Sequence, residues 1–511
     1  MFRDTSTNLS NAVKSVAIVD KSLILTRRSL IVFVSSQKAL STTILCLYRL
    51  YRYCIDYNVI SNLHTPNSVL VKIMGQVAIQ EEMMTSEKWF ERAKKVIPGG
   101  AMRSFRTYAP YPFYGRNGRG SKLYDLEGNE YTDYWMAHGA EVLGHLHPAV
   151  VKAVREQTEL GFHLGTCNEY EVQLAEAVTQ LVPSVEKISF FNGGTEALMH
   201  SLKLVRAFTK RDKVAKFEGH YHSVVEGLYA ATGFPPSAPD SAGHDPLSQK
   251  NLVVLPLHDA DAAYKAIKKK DLAAIYIELT TSATCIAEDK EMVKGLSEAC
   301  DETDTLLMLD EIVTGFRFAA GGAQELYGIT PDLTTFGKAI AGGELPVGAV
   351  GGRSDIMDWM DASKHPGHTG VVQGGTYDGN SLVMHAGVEA MKVYKEGSMY
   401  PRMNRLGDKL IAGLEDAVEE THANACVTGF HSVVKPHFPK PGTNMNNLRE
   451  LLTNVDYKTE NRFFNYLLSK GICAFIPNVV HFYITYPHTE HEVDTLITEC
   501  RNFLKTVPKA S

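Results

Sequence analysis

The chain has 511 residues, 44% hydrophobic and 22% charged, with a formal net charge of −6 at pH 7. That composition is ordinary for a globular protein with a sizeable core, and the length is too great for one small domain. With no basic surplus, neither nucleic acid nor an anionic membrane is expected as the main partner, which leaves a small-molecule substrate. The eight cysteines are scattered, with no C-x-x-C pair, so neither a disulfide framework nor a zinc ribbon is indicated and the compartment reads as reducing.

In chain order, residues 1–73 stand apart: they hold nine Lys/Arg against three Asp, ten Ser, and an apolar, Tyr-rich stretch from Ile44 to Ile60. A basic, Ser-rich, acid-poor segment suits a transit peptide. A membrane anchor needs roughly 18 nearly uncharged residues, and Arg49, Arg52 and Asp56 interrupt this stretch. The favoured reading is an unstructured extension outside the working protein, which then starts at Met74 or Met83. The compartment is accordingly expected to be cytoplasmic, or mitochondrial if the extension is a transit peptide.

From Thr85 the pattern becomes regular. An amphipathic helix over Ser86 to Val96 ends at Pro98-Gly99-Gly100. The alternating run from Lys122 to Tyr131, with Gly128-Asn129 inside it, predicts a hairpin. Beyond Pro148, short apolar strands alternate with helical stretches: Lys187–Phe191, Val214–Phe217, Leu252–Leu255, Ala273–Glu278, Leu306–Leu309 and Leu333–Phe336. Such alternation predicts an α/β fold with a mostly parallel sheet and helices on both faces. After Gly387 a long helical region, strands near Val427–Val434 and Phe482–Tyr486, and a helix over Glu490–Lys505 predict a smaller C-terminal α+β domain. No repeat or low-complexity tract is present.

In an open parallel sheet, ligands bind at the carboxyl ends of the strands, so the residues just after each strand matter most. Asn192-Gly193-Gly194-Thr195 follows one strand and opens a helix. Free N–H groups at a helix N-terminus, with a Thr hydroxyl, can hold a phosphate, although a Gly-rich turn is commonly only a turn. Leu309 runs into Asp310 and Glu311. A buried Asp there needs a cationic or donor partner, and Glu311 reads as a solvated neighbour. Thr334 to Lys338 is a strand ending in a lysine, which alone would be a surface residue. Together, in this order, they supply what a pyridoxal 5′-phosphate (PLP) site requires: an anchor, a ring-nitrogen partner and an amine.

The stretches F-N-G-G-T-E-A (Phe191–Ala197), F-E-G-H-Y-H-S (Phe217–Ser223), L-D-E-I-V-T-G-F-R (Leu309–Arg317), T-T-F-G-K-A-I-A-G-G (Thr334–Gly343), L-P-V-G-A (Leu345–Ala349) and G-G-T-Y-D-G-N (Gly374–Asn380) resemble the class III, fold-type I aminotransferases. The chain is most similar to their glutamate-1-semialdehyde aminomutase branch, from about Ser86 to Val507. The resemblance implies PLP as cofactor, Lys338 as the residue that carries it and moves protons, and Asp310 as the partner of its ring nitrogen. It implies Gly193, Gly194 and Thr195 as the phosphate cradle, Tyr221 stacked on the ring with His222 beside it, and Glu278 among the cofactor-binding residues. Thr376 matches a residue that reaches the neighbouring subunit's cofactor, so a homodimer with active sites at its interface is implied. Arg103 matches an arginine that grips a substrate carboxylate, and His138 falls in the substrate pocket, where that branch has Trp. The implied organisation is an extension over 1–73, an N-terminal segment over 74–131 shared with the small domain and dimer, a seven-stranded-type large domain over 132–386, and a small domain over 387–511.

Departures concern the substrate more than the cofactor. Ala283 stands where the family has an Asn, Gly193 replaces a Ser, and the segment after Pro98-Gly99-Gly100 is shorter. The Pro-, Gly-, Ser- and Asp-rich region 230–249 matches a loop that closes over the site in the aminomutase branch. The expected activity is amino-group transfer on a small amino acid or amino aldehyde. The rivals are an intermolecular β- or ω-amino acid:2-oxo acid transaminase and a PLP-binding protein without turnover. Arg317 reads as structural. His145 and His147, with no acid or Cys placed beside them by sequence, give no expectation of a metal.

Overall fold

The computed structural model describes residues 24–26, 29–31 and 85–510, apart from 238, 239, 246, 475, 476 and 478. The expectations for the N-terminal extension therefore fall largely outside the described residues. Within it Ile24–Thr26 and Ser29–Ile31 pair antiparallel. Residues 86–511 form a separate compact unit, and the following concerns that unit.

Helix α1 (Ser86–Ala93) stops three residues before the predicted end and leads into the Pro98–Gly100 turn. Strands β1 (Gly115–Arg119), β2 (Lys122–Asp125) and β3 (Glu130–Asp133) form an antiparallel meander. After α2 (Pro148–Leu160) and α3 (Glu169–Leu181), strands and helices alternate as β4 (Lys187–Phe191), α4 (Gly194–Thr209), β5 (Lys213–Phe217), β6 (Leu252–Leu255), α5 (Ala260–Ile267), β7 (Leu272–Ile277), α6 (Lys290–Asp301), β8 (Leu306–Glu311), α7 (Ala323–Tyr327), β9 (Leu333–Gly337) and β10 (Gly348–Gly352). These strands make one seven-stranded sheet in the order β4-β10-β9-β8-β7-β5-β6. Only β10 runs antiparallel to its neighbours.

Strand β10, sequence GAVGG, was not predicted, because glycine supplies no apolar periodicity. Its glycines have a packing reason. A Cβ at Gly348 would lie 2.1 Å from the Gly193 carbonyl oxygen, so only a bare backbone lets β10 slide in beside the turn after β4. Strands β6 and β7 and the first four residues of β8 carry continuous apolar residues, as expected where both faces are covered. On one face Leu307, Leu309, Ile275 and Ile277 pack against α5 and α6, and on the other Met308, Tyr276 and Ala273 pack against α4.

Helices α8 (Ser381–Glu396) and α9 (Met399–Thr421) lead into the C-terminal region. The single strand predicted near Val427–Val434 is two strands, β11 (Cys426–Phe430) and β12 (Val433–His437), folded back at His431-Ser432. Helix α10 (Tyr457–Ser469) precedes β13 (Ile472–Cys473), and β14 (Phe482–Tyr483) precedes α11 (Glu490–Leu504). Strand β13 pairs parallel with β3, so the N-terminal meander and the C-terminal region share one sheet. No helix among the described residues is long and apolar enough to cross a membrane.

Candidate active site

The site begins with β8. Side chains alternate faces along a strand, so Asp310 follows Met308 toward α4 while Glu311 follows Leu309 to the other side. The two neighbouring acids therefore do different jobs. Asp310, only 4% exposed, accepts from His222 Nδ1 at 2.8 Å through one oxygen. Its other oxygen accepts from the Ile312 N–H at 3.1 Å and the Thr335 hydroxyl at 3.3 Å. Glu311 is fully buried, contrary to the solvated role expected of it. It accepts from the Ala323 and Gln324 N–H groups and the Thr314 hydroxyl, and so fastens the start of α7 to the sheet.

Strand β9 lies next in the sheet, with Thr335 in register with Asp310. It ends at Gly337, and Lys338 takes φ +48°, a left-handed conformation uncommon for a side-chain-bearing residue. The backbone thereby turns sharply out of the sheet plane at the lysine. Burial pushes the Lys338 amine down to about 8, with Asp310 and Glu278 opposing and Arg317 and Arg103 adding to the fall. Much of the lysine population is then neutral just above physiological pH.

Glu278 follows β7. Burial raises it to about 8, and the charge of Asp310 adds to the rise. Its oxygens accept from the Tyr221 N–H at 2.6 Å and the Ser282 N–H at 3.2 Å. Glu278 thus anchors the backbone of Tyr221 and of the turn that carries Ala283.

The segment after β5 brings His220, Tyr221 and His222 to the same edge. The Glu278 N–H donates to His220 Nδ1 at 3.1 Å, which forces the proton of that ring onto Nε2, and Nε2 donates to Glu288 Oε1 at 2.8 Å. Burial favours the neutral His220, although the pair with Glu288 opposes it. His222 is buried and driven down to about 4 by burial, against the opposing pull of Asp310. Its Nε2 has no hydrogen-bond partner among the described residues.

Strand β4 ends at Phe191, and α4 opens at Gly194. Asn, Asp or Thr side chains cap α3, α5, α6, α8, α10 and α11, but Gly193 gives α4 no side-chain cap. The Thr195 hydroxyl meets Ser223 at 2.5 Å, linking this turn to the Tyr221 segment.

Arg103 and Arg106 are near enough for their charges to act on His138, and that of Arg103 on Lys338 as well. The Arg103 guanidinium sits 4.4 Å from the Phe105 ring centroid, and Phe105 and Trp135 meet His138 edge-on at 5.5 and 4.8 Å. Burial pushes His138 down to about 3, with Arg103, Lys338 and Arg106 adding to the effect. Arg317 is completely buried, donates to the carbonyls of Gly139, Ile484 and Val313, and lies over the Tyr483 ring. That is a structural role.

Thr376 is not gathered with the others. It is exposed, in a loop that Gln373 and Asp378 tie to Phe190 and Asn192 at the end of β4. Beside this loop Phe162, Leu164, Val372 and Tyr377 are 55–59% exposed.

Sequence reasoning missed Lys216, Glu288 and the acids around His145. A lysine inside the apolar strand Lys213–Phe217 was the available signal for the first. For the others there was none, since Glu288 lies 68 residues from His220. His145, read as having no acidic neighbour, is bracketed by Asp133 at Nε2, 2.8 Å away, and Glu141 at Nδ1. Glu141, His145 and Glu344 bring ligand-type atoms within 4.8 Å of one another, but both ring nitrogens of His145 are already engaged by carboxylates.

These residues fit PLP. An uncapped helix N-terminus with open space at Gly193 suits a phosphate, a strand-end carboxylate suits a protonated ring nitrogen, and a lysine of lowered basicity suits an aldehyde.

The family model for aminotransferase class-III matches residues 105–504. Glutamate-1-semialdehyde 2,1-aminomutase of Methanopyrus kandleri is 36% identical over 423 residues, which cover 81% of this chain and 96% of the relative. Among solved structures, an omega-transaminase from Sphaerobacter thermophilus superposes with a TM-score of 0.75 at 30% identity, covering 84% of this chain and 99% of its own. A beta-phenylalanine aminotransferase from Variovorax paradoxus follows at 0.74 and 28% identity, covering 83% and 96%.

Proposed function

The chain belongs to the class-III aminotransferase family, and on that premise we propose that its substrate is a small amino acid or amino aldehyde handled as in glutamate-1-semialdehyde aminomutase. It is a PLP-dependent enzyme of amino-group transfer. The observation that carries the residue assignment is the convergence of Asp310, backed by His222, with Lys338 at neighbouring strand ends.

When bound, PLP supplies an electron-accepting ring through which the amino group and the adjacent proton can be exchanged. In this reading Gly193, Gly194 and Thr195 hold the phosphate at the start of α4. The Asp310 carboxylate faces the ring nitrogen and keeps its proton in place. His222 donates to Asp310 and so fixes the carboxylate's orientation. Tyr221, its N–H held by Glu278, lies against the ring. Lys338 would carry the cofactor, and its amine, made less basic by burial, would pass a proton between the substrate's amino-bearing carbon and the cofactor carbon that holds the nitrogen. Arg103 binds a substrate carboxylate, a task its planar fork suits, and the uncharged His138 lines the pocket. Two copies of the chain pair through the exposed apolar surface around Phe162, Leu164, Val372 and Tyr377, which would bring Thr376 to the partner's phosphate.

A second reading, an intermolecular transaminase, is supported by the likeness to the omega-transaminase and by Ala283 in place of the family's Asn. Purified enzyme given candidate amino donors one at a time, with 2-oxo acid measured, separates the two. Turnover without 2-oxo acid consumption is expected. Stoichiometric consumption would transfer the protein to the transaminase reading, and no spectral response to any donor would point to a binder without turnover.

A further inference from the structure

Lys216 is completely buried in β5, in register with Tyr276 of β7 and Val254 of β6. Its ammonium donates to the carbonyl of His220 at 2.6 Å and to that of Ala230 at 2.7 Å. Among the described residues no carboxylate stands within ion-pair distance of it. The chain between those carbonyls leaves the sheet and returns, its neck closed by the Gly219 N–H donating to Ala231 at 2.8 Å. On that excursion ride Tyr221, His222 and Ser223. One ammonium thus pins both ends of the segment that faces Asp310 and the start of α4.

A buried cation is a costly way to satisfy two carbonyls, since a neutral donor would serve them without loss of charge solvation. What the charge adds is electrostatic. Burial pushes the amine down to about 8, with Glu278 and Asp240 opposing, so it still carries its proton at neutral pH. That charge acts on both His220 and His222. The groups around His222 are the Asp310 carboxylate, this ammonium, the His220 ring at 6.1 Å and the Tyr276 ring at 5.7 Å. Only Asp310 favours a charged imidazole.

We propose that Lys216 is a positioning residue that holds the Tyr221–Ser223 segment against Asp310 and the start of α4, its charge adding to the burial that leaves His222 a neutral donor to Asp310. An imidazolium there would put a second positive charge beside Asp310 and compete with a protonated ring nitrogen for the same carboxylate. This inference rests on the PLP reading, but it is a statement about the chain's own residues and can be read without turnover.

The test compares Lys216→Met, Lys216→Gln and Lys216→Arg with the wild type. In the apoprotein, NMR titration of the His222 ring should show its midpoint rising in Lys216→Met and Lys216→Gln and staying low in Lys216→Arg. The PLP dissociation constant should rise about tenfold or more in the first two. If Lys216→Met does not fold, Lys216→Gln, which keeps a donor without the charge, carries the comparison. A folded neutral variant with unchanged His222 titration and wild-type PLP affinity overturns the proposal. Should the wild type itself fail to bind PLP, the cofactor reading is what fails, and the His222 titration still decides the role of Lys216.

Discussion

His222 and Asp310, 88 residues apart in the chain, meet at 2.8 Å, and the imidazole that makes this contact is held uncharged by its burial. The acid therefore meets only neutral donors in these contacts, this ring, the Ile312 N–H and the Thr335 hydroxyl. Asp310→Asn should leave the fold intact and lower turnover by about 10²-fold or more, since a charge aimed at the reacting system is lost. His222→Gln, which keeps a neutral donor, should cost about tenfold. Steady-state kinetics with PLP titrations would check this order, and equal losses would contradict it.

Lys338 combines a strained backbone turn with an amine lowered to about 8. Lys338→Ala should abolish the stable visible absorbance of the bound cofactor and lower turnover by at least about 10²-fold. Because the reactive form is the neutral amine, the rate of PLP uptake by apoenzyme should climb with pH about tenfold per unit and level off above about 8. Stopped-flow absorbance across pH 6 to 10 measures this, and a climb continuing past about 10 would mean an ordinary, solvated lysine.

The two glycines that meet at the turn before α4 make opposite predictions. A Cβ at Gly193 has nothing within 4 Å, whereas one at Gly348 would strike the Gly193 carbonyl. Gly193→Ser should be tolerated, with PLP affinity unchanged or improved by the added hydroxyl. Gly348→Ala should push the turn away from the start of α4 and weaken PLP about tenfold or more. Equilibrium dialysis of the two variants is the comparison needed.

His145 is caught between two carboxylates, and although burial lowers it, the hydrogen bonds with Asp133 and Glu141 prevail and raise it to about 10. A group raised on folding stabilises most below its unfolded value near 6.5, and that contribution fades as pH rises through about 10. Removing it as His145→Phe leaves two carboxylates uncompensated and should cost roughly 3 kcal/mol. Urea denaturation at pH 6.5 and pH 10 should show the wild type losing its advantage over the variant at the higher pH.

Much of the large sheet is legible in the chain. Strands Lys187–Phe191 and Leu252–Leu255 lie on the residues predicted for them, since a short apolar run bounded by turn residues reads as a strand. Gly348–Gly352 escaped notice for the converse reason: its side chains are nearly absent, and only the contact with Gly193 explains them. The hairpin at His431-Ser432 was missed because an apolar run does not announce where it folds back.

By itself the sequence determined the kind of fold and the order of chemical groups along it: a glycine turn, then an acid pair, then a lysine, each closing an apolar strand. Such information is local, written in periodicity and in the residues that end a strand. Tertiary structure alone decided which acid of the pair serves the site, because strand alternation sends Asp310 toward His222 and Glu311 toward the start of α7. It also decided that Lys216 would hold two carbonyls across a loop and that His145 would find its acids. Those pairings join residues brought together by chain topology, and burial then sets their charge through the free energy of desolvation, which no stretch of sequence carries on its own.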